Sequence, residues 1–152
     1  MTSSPALIAL IGPSASGKST LARTLADRGL VTVVPAGLLT QYGLDGLTGI
    51  ALVIVRADQV GMLTAATGLN PVVYQVCSPI QQVAARLADR GIGPAERELQ
   101  LTGFHAERVA GARISDRCFL NNGPISELVS MVSQALATDF ATEGTRHPAA
   151  VA

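Results

Sequence analysis

Gly12-Pro13-Ser14-Ala15-Ser16-Gly17-Lys18-Ser19 is the stretch on which the fold of this chain turns. It fits G-x-x-x-x-G-K-[ST], the P-loop or Walker A pattern. The run before it, Ala6 to Ile11, is short and apolar, as a buried strand is. The run after it, Thr20 to Arg28, sets Leu21 and Leu25 one turn apart and stops at Gly29, as a helix does. The pattern needs a strand before it and a helix after it, and has both. Gly12 and Gly17 let the loop wrap closely, so that backbone N–H groups turn inward toward phosphate oxygens. The following helix adds its positive end. Lys18 is expected to reach the β- and γ-phosphates of ATP, and the Ser19 hydroxyl to ligate Mg²⁺. Gly12, Ser14, Ala15, Ser16, Gly17, Lys18, Ser19 and Thr20 form the expected ATP-binding set.

Lys18 is the only lysine; the other ten basic side chains are arginines. Arginine supplies charge but not a compact ammonium on a flexible stem. A lysine kept at this one position argues against a Gly/Ser turn that matches by chance.

The chain has 152 residues, 48% hydrophobic and 14% charged, which suits one domain with a sizeable core. Aromatic residues are scarce and Trp is absent, so the core must be Leu, Val, Ile and Ala. Eleven basic residues balance eleven acidic ones, which gives no electrostatic case for nucleic acid. No apolar run approaches the ~20 residues of a membrane span. Met1 to Pro5 lacks the basic region of a signal peptide. Cys77 and Cys118 stand apart in or beside apolar runs and read as buried free thiols of a cytoplasmic chain.

Further along, Leu30 to Val34 reads as a second strand closed by Pro35, and Ile50 to Val55 as a third. Between them, Ala36 to Gly49 reads as an active-site loop or short helix, with Thr40, Tyr42 and Asp45 as candidate acceptor contacts and Arg56 beyond it. Asp58 lies just past the third strand, where a P-loop protein places a second metal-side carboxylate. Asp58 also fits a helix N-cap before Gln59 to Ala66. Pro71 to Cys77 is a fourth strand. Ser78 and Pro79 then open a helix as N-cap and N1. That helix carries Arg86 and Arg90 one turn apart, either solvated at its C-terminal end or facing a triphosphate. Gly91 to Pro94 breaks the chain before a helix from about Ala95 to Ala112; the span 91–113 reads as a lid. His105 on it reads as a surface or partly packed residue rather than a catalytic one. Arg117 to Leu120 is a fifth strand. A last helix follows Pro124, with its stripe ending at Leu136. Residues 138–152 read as a mobile tail, leaving 1–137 as a single domain. Strands alternating with helices imply an α/β fold. The expected form is a five-stranded parallel sheet in the order 2-3-1-4-5, helices on both faces, as in P-loop kinases.

These motifs resemble the guanylate kinase family of nucleoside monophosphate kinases. The loop is close to that family's GPSGSGKST. Asp58-Gln59-Val60-Gly61 resembles its aspartate–x–x–glycine. Arg86-Leu87 and Arg90-Gly91 are similar to its RLxxRG. Glu107 falls where its lid helix carries glutamate, and Leu120-Asn121-Asn122 resembles its turn near the adenine. The resemblance implies ATP contact at Asn121 and catalytic roles for Lys18, Asp58, Arg86 and Arg90. The family's lid arginine falls at Gln100 here, with Arg97 the nearest substitute. Lys18 and Asp58 are only forty positions apart, which leaves no room for the family's GMP-binding domain. The sequence thus points to Mg·ATP-dependent phosphoryl transfer to a small nucleotide- or nucleoside-like acceptor, with room for an oligomer. The alternative is a guanylate-kinase-like module that binds nucleotide or protein without turnover.

Overall fold

The three central strands form because their apolar residues can be buried on both sides. β1 (Ala6–Ile11) lies at the centre of a five-stranded sheet. It pairs in parallel with β3 (Ile50–Ile54) on one side and with β4 (Val72–Cys77) on the other. β2 (Thr32–Val33) and β5 (Arg117–Leu120) complete the order β2-β3-β1-β4-β5 at the edges. The computed structural model describes residues 6–13 and 15–144. Ser14 of the ATP-binding set, the Met1–Pro5 segment and residues 145–152 of the expected tail lie outside the described residues.

Side chains alternate across the sheet, as pleating demands. Ile8 and Leu10 face α1 (Lys18–Asp27) and α6 (Ile125–Gly144), packing with Leu21, Leu25, Leu128 and Val132. Leu7, Ala9 and Ile11 face the other way, toward Leu39 of α2 (Ala36–Tyr42) and Leu63 of α3 (Val60–Thr67). α4 (Ile80–Asp89) and α5 (Pro94–Ile114) add a small cluster in which Phe104 packs with Val83, Leu87 and Ala15.

α5 crosses the sheet at closest approach over β4. A Cβ on Gly111 would fall 2.4 Å from Nε2 of Gln75, so only glycine fits without a shift. Gln75 is fully buried beneath it and donates to the Arg108 carbonyl at 3.0 Å, which satisfies an otherwise costly buried amide.

Three local expectations are corrected. α6 continues to Gly144, so residues 138–144 are helical rather than tail. Asp139 holds that extension: it accepts from Nε and Nη2 of Arg117 at 2.7 and 2.6 Å and from the Tyr74 hydroxyl at 2.5 Å. Ser78 does not cap α4, whose N-cap is Pro79. Its hydroxyl is spent elsewhere, on the loop described below. Cys77 is buried but Cys118 is exposed at the sheet edge, with the two Sγ atoms 4.0 Å apart. Burial pushes the Cys77 thiol up to about 11, so it is an inert packing residue at neutral pH.

Candidate active site

The loop between β1 and α1 is held in a shape its sequence would not keep alone. Gly12 has φ +147° and Gly17 φ +102°, both in the glycine-favouring region. A Cβ on Gly12 would lie 2.1 Å from the Val76 carbonyl oxygen. Ala15 sits at φ +60°, a conformation that costs a non-glycine residue about 1 kcal/mol. Its methyl is buried against Val83, Leu87 and Phe104, which offsets a cost of that size.

Three residues from the C-terminal half clamp the loop's carbonyls from behind. Asn121 Nδ2 donates to the Ser16 carbonyl at 3.0 Å, and Ser78 Oγ lies 3.2 Å from the same oxygen and 2.7 Å from the Asn121 carbonyl. Arg86 Nη1 donates to the Ala15 carbonyl and to Ser78 Oγ, both at 2.8 Å. Arg86 and Asn121 therefore brace the loop, and both also border a recess with Gly17, Thr20 and Arg90. Ser16 is fully buried and its hydroxyl has no partner among the described residues.

α1 starts at this loop with no side-chain cap and no acidic residue in its first turn. Its leading N–H groups are thus left for an anion. Lys18, Ser19, Thr20, Ala15, Gly17 and Arg90 line a recess of about 200 Å³ at that point. Lys18 Nζ is turned back onto the loop, donating to the Gly12 and Pro13 carbonyls at 2.5 and 2.9 Å. Burial lowers its pKa to about 8; the nearby Arg90 adds to the fall, and Glu107 and Cys77 oppose it.

That value has a measurable consequence. Below about pH 8 the free protein already carries the ammonium; above it, the amine is neutral. A polyphosphate favours the charged form. Mg·ATP binding at pH 9 is therefore expected to take up most of one proton, with affinity falling about tenfold per pH unit above that point. Calorimetry at pH 7.5 and 9 in buffers of different ionisation heat checks this; heats independent of buffer at pH 9 would refute it.

Lys18 also lines a second, larger cavity of about 370 Å³, beyond the carboxyl ends of β1 and β3 and under α5. Gly12, Pro13, Arg56, Gln59, Gln100, Phe104 and Glu107 share its wall. Glu107 reaches it from α5, where Oε1 accepts the Ala57 N–H at 3.1 Å. Of the acceptor candidates, Arg56 lines this cavity; Thr40, Tyr42 and Asp45 do not, and all three are exposed. Arg97 points away, lining a separate hollow with Ala84, Pro94 and Leu101, while Gln100 holds the place on the cavity wall.

Asp58 is not the helix N-cap expected of it; that place falls to Gln59. Asp58 lies inside the short 3₁₀ turn Ala57–Gln59, and the Arg56 N–H at the head of that turn is satisfied by Gln59 Oε1 at 2.9 Å, not by Asp58. The Asp58 carboxylate is 72% exposed, pairs with Arg56 Nε at 3.2 Å and does not line the cavity. A surface pair of this kind stabilises little. Asp58→Asn is expected to leave Mg·ATP affinity within twofold and stability within ~0.5 kcal/mol, checked by titration and thermal melting. His105 is exposed, as expected. The residue that sequence reasoning placed only by resemblance, Glu107, is the carboxylate the fold brings to Lys18.

Compared by sequence, the chain matches no protein-family model and no curated protein. Compared by structure, it is similar to shikimate kinase from Acinetobacter baumannii, at TM-score 0.64 and 13% identity over 90% of this chain and 96% of that one. It is similar to TT1252 from Thermus thermophilus, at TM-score 0.65 and 14% identity over 90% and 98%. A chain from Chloroflexus aurantiacus described as a candidate kinase matches at TM-score 0.52 and 14% identity, over 87% and 98%. At these identities the likeness is one of architecture, and the architecture is the α/β fold of the P-loop kinases.

Proposed function

We propose that this protein transfers the γ-phosphoryl group of Mg·ATP to a small-molecule acceptor. The observation that carries this reading is that Lys18 lines two cavities at once. One is the recess at the head of α1, suited to phosphates; the other is the larger cavity under α5. A donor in the first and an acceptor in the second would meet at the ammonium. Phosphoryl transfer needs such positioning and charge neutralisation more than covalent help.

In this reading Lys18 leaves the Gly12 and Pro13 carbonyls and pairs with the β- and γ-phosphate oxygens. The N–H groups at the head of α1 hold the phosphates, and Arg90 screens them from the rim. Among the described residues no three His, Cys, Asp or Glu side chains gather as a metal set. Mg²⁺ prefers oxygen ligands and keeps several waters. Ser19, exposed in the phosphate recess, suits it alongside the nucleotide's own oxygens. Bound there, the ion would neutralise developing phosphate charge.

Kinase-fold neighbours support the reading, one of them described in complex with the small molecule shikimate. The finer assignment to the guanylate and nucleoside monophosphate kinases rests on motif resemblance. ADP release with Mg·ATP across small acceptors, beside direct ATP titration, tests the proposal. Acceptor-dependent ADP release supports it. ATP binding without release for any acceptor supports the non-catalytic module instead.

A further inference from the structure

We infer that the acceptor is a small neutral alcohol and that Glu107 is the catalytic residue that takes its proton. The inference rests on the phosphotransferase reading above and adds the acceptor's chemistry.

The ionisable groups on the wall of the larger cavity are Lys18 from α1, Arg56 at the end of β3 and Glu107 from α5. Lys18 belongs to the phosphates. Arg56 is 68% exposed at the rim, with Nε already turned to Asp58 at 3.2 Å. Glu107 is half-buried, and the Ala57 N–H fixes Oε1, leaving Oε2 for another partner. A phosphate or carboxylate acceptor would enter against this carboxylate, and like charges a few ångströms apart in a shielded site repel strongly. A hydroxyl has the opposite relation to it: the hydroxyl donates and the carboxylate accepts.

The remaining wall agrees. Gln59 and Gln100 offer neutral amides, which suit further hydroxyls rather than an anion. No ring is free to stack a base, because Phe104 is only 5% exposed and packed on Ala15, Val83 and Leu87. A volume of about 370 Å³ is near the low end for ligand pockets, roughly 300–1,000 Å³. A small polyol or sugar suits those terms better than a nucleotide.

The acceptor's hydroxyl oxygen forms a bond to the γ-phosphorus. The bond from that phosphorus to the β–γ bridging oxygen breaks, and its electron pair leaves with ADP. The hydroxyl proton passes to Glu107, and Lys18 faces the charge on the transferring group. The products are a phosphomonoester and ADP.

The test uses the full chain and its Glu107→Gln variant. Gln keeps a carbonyl oxygen for the Ala57 N–H, so the docking of α5 survives. ATP titration comes first, then ADP release with glycerol, erythritol, D-ribose and myo-inositol against AMP, CMP and GMP. Phosphorus NMR identifies the phosphomonoester. At least one alcohol is expected to outpace every monophosphate. In Glu107→Gln its rate should fall about 10²-fold or more, while ATP binds as tightly or more so. ATP bound without phosphorylation of any alcohol overturns the inference. So does a monophosphate that outpaces every alcohol, or a variant rate within twofold of the original. A chain that fails to bind Mg·ATP brings down the underlying phosphotransferase reading as well.

Discussion

Lys18→Ala is expected to weaken Mg·ATP binding at least tenfold and to cut acceptor-dependent ADP release by about 10²–10³-fold, the scale of losing one preorganised charge donor. The fold should survive. The ammonium's two hydrogen bonds go to carbonyls of its own loop, at Gly12 and Pro13. Burial holds its pKa at about 8, below the ordinary 10.5. The sign is the informative part. A lysine whose pKa falls on folding is, at neutral pH, a charge the folded protein carries at a cost. Removing it relieves that cost while losing the two bonds, so the melting temperature should move by no more than a few degrees. Lys18 is also the only lysine, and no neighbouring ammonium can stand in for it. Calorimetric titration and an ADP-release assay on both proteins check the prediction. Unchanged ATP affinity in the variant would remove the ground for the phosphotransferase reading.

Gly12→Ala should do the reverse, damaging fold and site together. The new Cβ would stand 2.1 Å from the Val76 carbonyl oxygen, a backbone atom in β4 that cannot swing aside. The backbone at φ +147° is unfavourable for alanine even without that clash. Loop or strand must move, at a cost of about 3 kcal/mol or more. For a chain of this size that lowers the melting temperature by roughly 10 °C. ATP binding should be lost at temperatures where the protein is still folded, because the displaced loop no longer presents the head of α1. Gly37→Ala is the control: its Cβ would meet nothing within 4 Å, and its φ is ordinary for a helix. Alanine there should be neutral or stabilise by up to ~1 kcal/mol. Equal melting temperatures for Gly12→Ala and the parent would contradict the packing described for this loop.

The three central strands were legible because each is an apolar run covered on both faces. β1 and β5 fall at the expected residues, and the sheet has the expected order. The loop was legible because its glycines stand where the backbone takes positive φ, between the strand and the helix that the pattern requires. What stayed hidden depends on contacts between distant residues. α6 outruns its apolar stripe because Asp139 meets Arg117 and Tyr74, which no local pattern announces. Asp58 has the right residue type at the right strand end, yet the 3₁₀ turn sends its carboxylate outward, and Glu107 arrives from 50 positions away to accept the Ala57 N–H. Arg97 does not share the cavity wall with Gln100, because three residues on a helix do not amount to a full turn, and the docking of α5 turns Gln100 to the cavity and Arg97 to a separate hollow.

The clamp on the loop also sets the order in which the protein becomes competent during synthesis. Ser16 waits for Asn121, 105 positions later, and Ala15 waits for Arg86, 71 positions later. At 5–20 residues per second, the longer wait is roughly 5–20 s of translation. The loop is thus made well before the residues that support it. A nascent chain that has exposed Lys18 but not yet Asn121 lacks the brace that shapes the loop. The finished shape of the loop thereby reports that the C-terminal part of the sheet has been laid down.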